Sequence, residues 1–228
     1  MVYRVQDGNG DKCVWFNCHC GTIFHIQDGL EPTKVYDDKY IKEYQDRKGC
    51  LDRLEYFRRI YLPTIEEMTY GRRFLDVGFT IPDHIEALGK RGWIATGIDL
   101  ISNDYHTGDF AEYDFGNQRF DFILLGQILQ CFKNPLKALK KCYGLLNMGG
   151  VIFITTPDTE IIPMTGLIDW GHWNMREHRV YWGERKLLEE LFKIGFKIRF
   201  YKKNLHKRFM YWNDLHILAT KPYTKEDE

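Results

Sequence analysis

The sequence predicts an α/β fold built on a mainly parallel, doubly wound sheet. From Arg72 to Lys221, apolar runs of strand length alternate with segments of helical spacing. This alternation is typical of parallel strands joined by covering helices. A second observation is a strand–turn–helix–strand unit between Arg72 and Leu100 that closes on an acidic residue. Together they indicate a Rossmann-like domain with its ligand at the carboxyl ends of the strands.

The first unit predicts a nucleoside site. A strand is expected over residues 74–78, a helix over residues 82–91 and a second strand over residues 93–99. Asp99 closes that second strand, about 20 residues beyond the first turn, where such folds bind the ribose hydroxyls. The turn itself holds one glycine, Gly78, and lacks the G-x-G-x-x-G pattern that a pyrophosphate needs. A nicotinamide dehydrogenase is therefore disfavoured.

The later elements follow the same alternation. Helices are expected around residues 135–146 and 184–194, and strands over residues 120–125, 151–157, 196–201 and 210–220. Residues 37–61 have helical spacing, with aromatic and aliphatic side chains recurring on one side. A short polar strand is expected just before Asp109.

Several segments resemble the class I S-adenosylmethionine-dependent methyltransferases. Asp76-Val77-Gly78 is similar to the start of the family's motif I, D-V-G-C-G-T-G, with Thr80 and Pro82 where glycines are usual. Residues 120–125 are similar to the fourth strand, residues 145–150 to the L-L-K-P-G-G turn and residues 151–157 to the fifth strand. The order and spacing of these segments match the family from about residue 36 to residue 222.

The resemblance implies a fold, a cofactor and a set of binding residues. The fold is a seven-stranded, mainly parallel sheet in three α/β/α layers, ending in an antiparallel hairpin. The cofactor is S-adenosylmethionine, and the enzyme would methylate an oxygen or nitrogen of a small or medium-sized acceptor. Ribose is expected at Asp99 and Leu100, adenine at Asp109 and Phe110, and the methionine side at the following three residues: Asp76, Gly78 and Gln127.

Two interpretations of the altered turn stay open. Thr80 puts a β-branched residue where close backbone approach and positive φ are expected, which would hinder the cofactor. The protein would then be a non-catalytic binding or scaffold protein. In the other interpretation, Thr80 is a helix N-cap with Asp83 three positions later and Pro82 in the first turn, and the site still binds.

The N-terminal segment, residues 1–35, carries a cysteine cluster. Cys13, Cys18 and Cys20 are residue types that bind zinc, but paired C-x-x-C spacings are absent. A β-hairpin over residues 14–26 that retains free thiols is the alternative. Residues 36–70 are expected to form a helical cap, residues 71–222 the methyltransferase domain and residues 223–228 a frayed tail.

An insertion after the fifth strand, residues 170–182, is rich in tryptophan, histidine and charged residues. A loop leaving that strand emerges at the ligand edge of the sheet, where aromatic side chains can exclude water. His172, His178 and Glu177 are the candidate acid/base residues. The alternative is that the tryptophans cover the sheet and the charges pair on the surface.

Composition narrows the partners and the compartment. The chain has 32 basic and 32 acidic residues, so no net field favours nucleic acid or an anionic membrane. No apolar run has the length of a membrane span, and no signal peptide is evident. A cytoplasmic, reduced protein with six free thiols is expected. The acceptor and the oligomeric state stay open.

Overall fold

The structure is a computed structural model. It describes residues 2–6, 12–25, 49–101, 104–162, 170, 172–174, 177–203 and 214–223. Parts of five predictions lie outside these residues: parts of the N-terminal segment, the first half of the helical cap, residues 171, 175 and 176 of the insertion, the turn of the last hairpin and most of the tail.

The described residues form five α-helices and two β-sheets. In chain order the elements are β1 Val2–Gln6, β2 Lys12–Asn17, β3 Ile23–His25, α1 Gly49–Ile60, α2 Leu62–Met68, β4 Arg73–Val77, α3 Asp83–Gly89, β5 Ile94–Asp99, β6 His106–Thr107, β7 Phe120–Gly126, α4 Pro135–Leu145, β8 Leu146–Pro157, β9 Val180–Tyr181, α5 Glu184–Ile194, β10 Lys197–Lys203 and β11 Asp214–Thr220. Single 3₁₀ turns cover Leu129–Cys131 and Thr159–Ile161.

The large sheet has seven strands in the order β10-β11-β8-β7-β4-β5-β6. The pairs from β8 to β6 are parallel, whereas β11 is antiparallel to both of its neighbours. This confirms the predicted Rossmann-like sheet and its terminal hairpin. The reversal of strand order beside β4 creates the crevice in which open α/β sheets bind ligands.

Two apolar cores cover the two faces of this sheet. One face packs on α1, α2 and α3 through side chains such as Phe57, Ile65 and Leu88. The other packs on α4 and α5 through Leu139 and Leu191, which are fully buried. The three-layer arrangement follows, because parallel strands that are apolar on both faces need helices on both.

Local signals in the sequence set several helix ends. Asn134 caps α4 by accepting a hydrogen bond from the Lys137 amide, and Pro135 occupies the first helical turn. Gly195 ends α5 at φ 113°. The helix predicted over residues 37–61 agrees with α1 in its described part, which ends at Ile60, and a second helix, α2, restarts at Leu62. Pro63 in the first turn of α2 accounts for the restart.

The small sheet joins distant parts of the chain. Its order is β1-β2-β3-β9, all antiparallel, so the insertion after β8 adds the last strand to the N-terminal hairpin. The predicted hairpin is confirmed, whereas strand β9 was not predicted. Trp15 and Tyr181 have no exposed surface and pack with Ile23 and Trp170 in a separate core. In the described residues, no helix combines the length and apolar character needed to cross a bilayer.

We expect Trp15→Ala to loosen the small sheet. Trp15 stacks within 4.6 Å of Trp173 and 5.4 Å of Tyr181, measured between ring centroids. Truncating a buried tryptophan typically costs about 3–5 kcal/mol. Hydrogen exchange should show a drop of roughly 3 kcal/mol in the opening free energy of the β3 and β9 amides.

The matched control is Val14→Ala, one residue earlier on β2 but on the opposite, 39% exposed side of the strand. It should change the same opening free energies by less than about 0.5 kcal/mol. Equal effects of the two variants would show that Trp15 does not anchor β9.

Candidate functional site

Three neighbouring parallel strands end at one edge of the large sheet. Gly78 follows β4, Asp99 ends β5 and Gln127 follows β7. The pairing of β4 with both β5 and β7 brings these ends together. The predicted binding residues of this group therefore share one crevice.

The turn after β4 keeps the backbone shape of a glycine-rich loop. Gly78 has φ 72°, and a Cβ there would lie 2.4 Å from Ile128 Cγ1, so only glycine fits. Thr80 has φ 51°, a left-handed conformation that is uncommon for a β-branched residue. The N-cap prediction for Thr80 is wrong, because Pro82 occupies the N-cap of α3 and no side chain caps the helix.

Asp99 holds this turn. One carboxylate oxygen accepts the Thr80 N–H at 3.2 Å, and the other accepts the Ile101 N–H at 3.1 Å. Leu100 lies in the turn between these contacts and is half-buried. The same carboxylate can accept hydrogen bonds from a ribose at its outer lone pairs. Asp99 thus fixes the shape of the loop after β4 from the end of the neighbouring strand.

Asp109 and Phe110 lie next along this edge. The Gly108 N–H donates to the Asp99 carbonyl at 2.9 Å, which fixes their position relative to β5. Asp109 is exposed and accepts the Ala111 N–H, whereas Phe110 is buried in the main core. An exposed acid above an apolar neighbour suits the edge of an adenine ring, as the resemblance implies.

Two buried polar atoms point to a ligand. Among the described residues, neither Asp76 Oδ2 nor Gln127 Nε2 has a hydrogen-bond partner, although both atoms are buried. Buried polar groups in native proteins are nearly always satisfied, so such atoms need an explanation. His84, which the sequence analysis missed, brings Nδ1 to 3.5 Å from Asp76 Oδ2. A carboxylate and an amide suit the ammonium and carboxylate of a methionine moiety.

Aromatic side chains wall the crevice beside Asp99. The rings of Phe79 and Tyr105 meet edge to face, with centroids 5.4 Å apart. Gly97 makes room for this wall, because a Cβ there would lie 2.6 Å from Phe79 Cδ1. The sequence analysis missed both aromatic residues, since neither stands in a motif.

The candidate acid/base residues lie beyond β8. His172 Nε2 is 3.4 Å from Asp214 Oδ1 on β11, and both side chains are buried. Burial lowers the pKa of His172 to about 4. The imidazole is therefore neutral at pH 7. Asp214 and His216 share one face of β11, and His216 Nδ1 is 2.6 Å from Tyr61 Oη.

His178 lies in a different environment. Its Nδ1 is 3.0 Å from Tyr181 Oη, which also receives the Asn174 N–H and contacts the His172 carbonyl. Burial lowers the pKa of His178 to about 3. Glu177 is half-buried, and its N–H donates to the Asn174 side chain. These contacts support the aromatic core of the small sheet.

A chain of hydrogen bonds links the insertion to the crevice. The Arg179 N–H donates to the Gln130 carbonyl at 2.7 Å, and Gln130 Nε2 donates to the Gln127 carbonyl at 2.9 Å. Gln127 itself has φ 57° and donates its N–H to the Thr155 carbonyl. These hydrogen bonds therefore connect the insertion to the turn after β7.

The cysteine cluster gives no metal site in the described residues. Within those residues, no group of three or more His, Cys, Asp or Glu side chains could hold a metal ion. Cys18 is exposed, and its Sγ accepts the Cys20 N–H at 3.4 Å. The Cys13 side chain lies outside the described residues, so zinc has no supporting cluster here.

The comparisons with known proteins identify the family. Residues 44–199, well over half of the chain, match the methyltransferase domain family. Asp99 and the glycine turn lie at the edge of the sheet where proteins of this fold class bind a nucleoside. The chain belongs to the methyltransferase domain family, among the class I S-adenosylmethionine-dependent methyltransferases.

Individual relatives are distant. A ubiquinone biosynthesis O-methyltransferase of Coxiella burnetii is 26% identical over 133 residues, covering 50% of this chain and 57% of the relative. The chain therefore spans little more than half the length of this curated relative. A SAM-dependent methyltransferase from Archaeoglobus fulgidus aligns with a TM-score of 0.60 at 17% identity, over 81% of this chain and 100% of its own. The PH0226 protein of Pyrococcus horikoshii OT3 aligns with a TM-score of 0.61 at 14% identity, over 86% and 100%. These structures share the fold.

We expect Asp99→Ala to weaken S-adenosylhomocysteine binding by at least about 1.5 kcal/mol, measured by calorimetric titration. The carboxylate would lose charge-assisted hydrogen bonds to the ribose and its hold on the Thr80 amide. The control is Asp114→Ala, which removes an exposed carboxylate that also accepts a local backbone N–H. An unchanged dissociation constant for Asp99→Ala, with the fold intact, would remove Asp99 from the site.

We expect Thr80→Gly to bind S-adenosylhomocysteine as well as the wild type or more tightly. Glycine adopts φ 51° without the strain that a β-branched residue has there. Titration together with thermal unfolding separates pocket effects from stability. Substantially weaker binding would show that the Thr80 side chain itself is needed.

Proposed function

We propose that the protein transfers the methyl group of S-adenosylmethionine to a hydroxyl oxygen of a small acceptor. The observation that carries the proposal is a pair of buried polar atoms beside the turn held by Asp99, namely Asp76 Oδ2 and Gln127 Nε2. Neither atom has a hydrogen bond within the described residues, although His84 Nδ1 lies 3.5 Å from Asp76 Oδ2. The curated relative named as an O-methyltransferase supports oxygen as the acceptor atom.

Different residues would contact different parts of the cofactor. Asp99 and Leu100 would hold the ribose, Asp109 the adenine edge, and Asp76 and Gln127 the methionine end. When bound, the cofactor supplies a methyl carbon made electrophilic by a sulfonium. The protein would then position the acceptor, exclude water and accept the proton that the acceptor loses.

The insertion would form the acceptor side of the crevice. Trp170 and Trp182 are buried, and the β9 pairing holds their segment against the small sheet. Excluding water there favours transfer to the acceptor over reaction with solvent. A neutral, buried histidine in the same segment is in the protonation state that a general base requires.

The test begins with calorimetric titration using S-adenosylmethionine, S-adenosylhomocysteine and NAD. We expect the first two to bind and NAD not to bind. Binding of none would favour the scaffold interpretation, and binding of NAD alone would favour a dehydrogenase.

The second step identifies the acceptor atom. The protein would be incubated with methyl-labelled S-adenosylmethionine and two matched panels, small phenols and catechols against anilines of the same shape. We expect label in the hydroxyl panel, and roughly tenfold less of it with Asp99→Ala when S-adenosylmethionine is below its dissociation constant. Label only in the amine panel would reject oxygen as the acceptor atom while retaining methyl transfer.

A further inference from the structure

A cavity of about 570 Å³ opens at the edge of the large sheet that is opposite the crevice. Arg73 begins β4, Arg119 precedes β7 and Asn147 is the second residue of β8, and all three line this cavity. These are the amino ends of parallel strands, whereas Gly78 follows the carboxyl end of β4. Five residues of extended chain separate Arg73 from Gly78, which is roughly 16 Å. The cavity is therefore distinct from the proposed cofactor site.

Two guanidinium groups give the cavity a positive charge. Arg73 Nε donates to the Arg119 carbonyl at 2.9 Å, which brings the two residues together. Arg119 Nη1 donates to the Gln118 carbonyl at 2.7 Å. Within the described residues, neither guanidinium has an ion pair with a carboxylate. Both terminal nitrogens of Arg73 and Nη2 of Arg119 therefore keep N–H donors for a ligand.

A buried carboxylate holds two of the lining residues in place. Asp121 accepts the Arg73 N–H at 2.9 Å and Asn147 Nδ2 at 2.8 Å. A Cβ at Gly71 would lie 2.1 Å from Asp121 Oδ2, so this carboxylate is packed tightly against the backbone. Among the described residues that line the cavity itself, none is acidic. The positive charge of the wall is therefore directed at whatever enters the cavity.

Carboxamide side chains supply the neutral polar part of the wall. Asn117 and Gln118 line the cavity, and their side chains form no hydrogen bond in the described part of the chain. Asn147 uses one N–H on Asp121 and keeps its carbonyl oxygen. Phe115, of which 4% is exposed, adds an aromatic contact. This wall suits a ligand that joins an anionic group to a larger polar body.

We propose that this cavity binds a phosphate monoester of about nucleotide size, with its phosphate at Arg73 and Arg119 and its remainder at the carboxamides. The planar guanidinium fork matches two phosphate oxygens at once. A cavity of this volume is in the range of sites for whole small molecules and is larger than one phosphate ion needs. The site does not depend on the proposed methyl transfer.

Charge balance distinguishes a phosphate ester from a carboxylate. A phosphate monoester carries about −1.5 to −2 charges at pH 7, which matches the two guanidinium groups. A carboxylate would leave one of them unmatched. Because Arg119 is exposed and Arg73 is half-buried, salt should screen part of the attraction. Affinity for the ester should therefore fall as ionic strength rises.

The first measurement maps binding on the wild-type protein with cytidine 5′-monophosphate as the probe. A pyrimidine is chosen because the proposed cofactor site would accept an adenine nucleoside. Titration followed by amide NMR spectra should shift the signals of residues 115–119 and Asn147, whereas those of Gly78 and Asp99 should not move. We expect a dissociation constant below about 1 mM at low salt, and at least about tenfold weaker binding of cytidine, which lacks the phosphate.

The second measurement compares variants by the same titration. Arg73→Gln and Arg119→Gln should each weaken binding of cytidine 5′-monophosphate by about tenfold or more, since each removes charge-assisted hydrogen bonds. The matched control is Arg185→Gln, which removes an exposed arginine of α5 that does not line the cavity. Its dissociation constant should stay within about twofold of wild type. Asn117→Ala should weaken binding of the nucleotide by about threefold and leave that of inorganic phosphate unchanged.

Three results would overturn the proposal: signal shifts confined to Gly78 and Asp99, equal affinity for cytidine and its monophosphate, or an equal loss in Arg185→Gln. Inorganic phosphate that binds as tightly as the nucleotide would overturn the assignment of a larger ligand. Thermal unfolding checks that the arginine variants fold. If they do not, the wild-type shift map and Asn117→Ala decide. Since S-adenosylmethionine is absent from these titrations, failure of the proposed methyl transfer would not change their outcome.

Discussion

The parallel register of β4, β5, β7 and β8 is the constraint on which the site depends. Parallel hydrogen bonding brings the carboxyl ends of these strands to one edge of the sheet, so the turns that follow the strands lie side by side. Gly78, Asp99 and Gln127 are far apart in sequence and become neighbours for this reason alone. The contact between Gly78 and Ile128 shows how closely the turns meet, since no side chain fits between them.

The insertion depends on a second, smaller sheet. Strand β9 pairs with β3. The segment that carries His172 and His178 is therefore anchored to the N-terminal hairpin. Gln130 then connects it to Gln127 through two hydrogen bonds. Any opening of the acceptor side would involve the hairpin and the insertion as a unit, because separating them exposes the Trp15 core.

Helices and strands with a regular spacing of apolar residues could be predicted from the sequence, whereas pairings between distant segments could not. The helix predicted over residues 184–194 has the observed bounds of α5, since its amphipathic spacing and Gly195 act locally. Strand β9 has two residues and exists only because β3 is beside it. Asp214 was predicted only as part of the strand over residues 210–220, since nothing in its own segment shows that His172 lies nearby. The N-cap prediction for Thr80 was wrong for a different reason. A threonine rarely has positive φ, yet the contact with Asp99 and the tight turn impose positive φ on Thr80.

Burial of His172 couples its protonation to the packing of the insertion. Burial lowers the pKa of His172 to about 4 from the ordinary value of 6.5, so the imidazole is neutral at pH 7. An imidazole that is exposed to solvent binds a proton more readily than the buried one between these two pH values. Acidification through this range therefore favours states in which the segment around His172 has opened, because those states bind more protons. The aromatic core that contains Trp15 and Tyr181 opposes such opening, since separating the insertion from the hairpin exposes it.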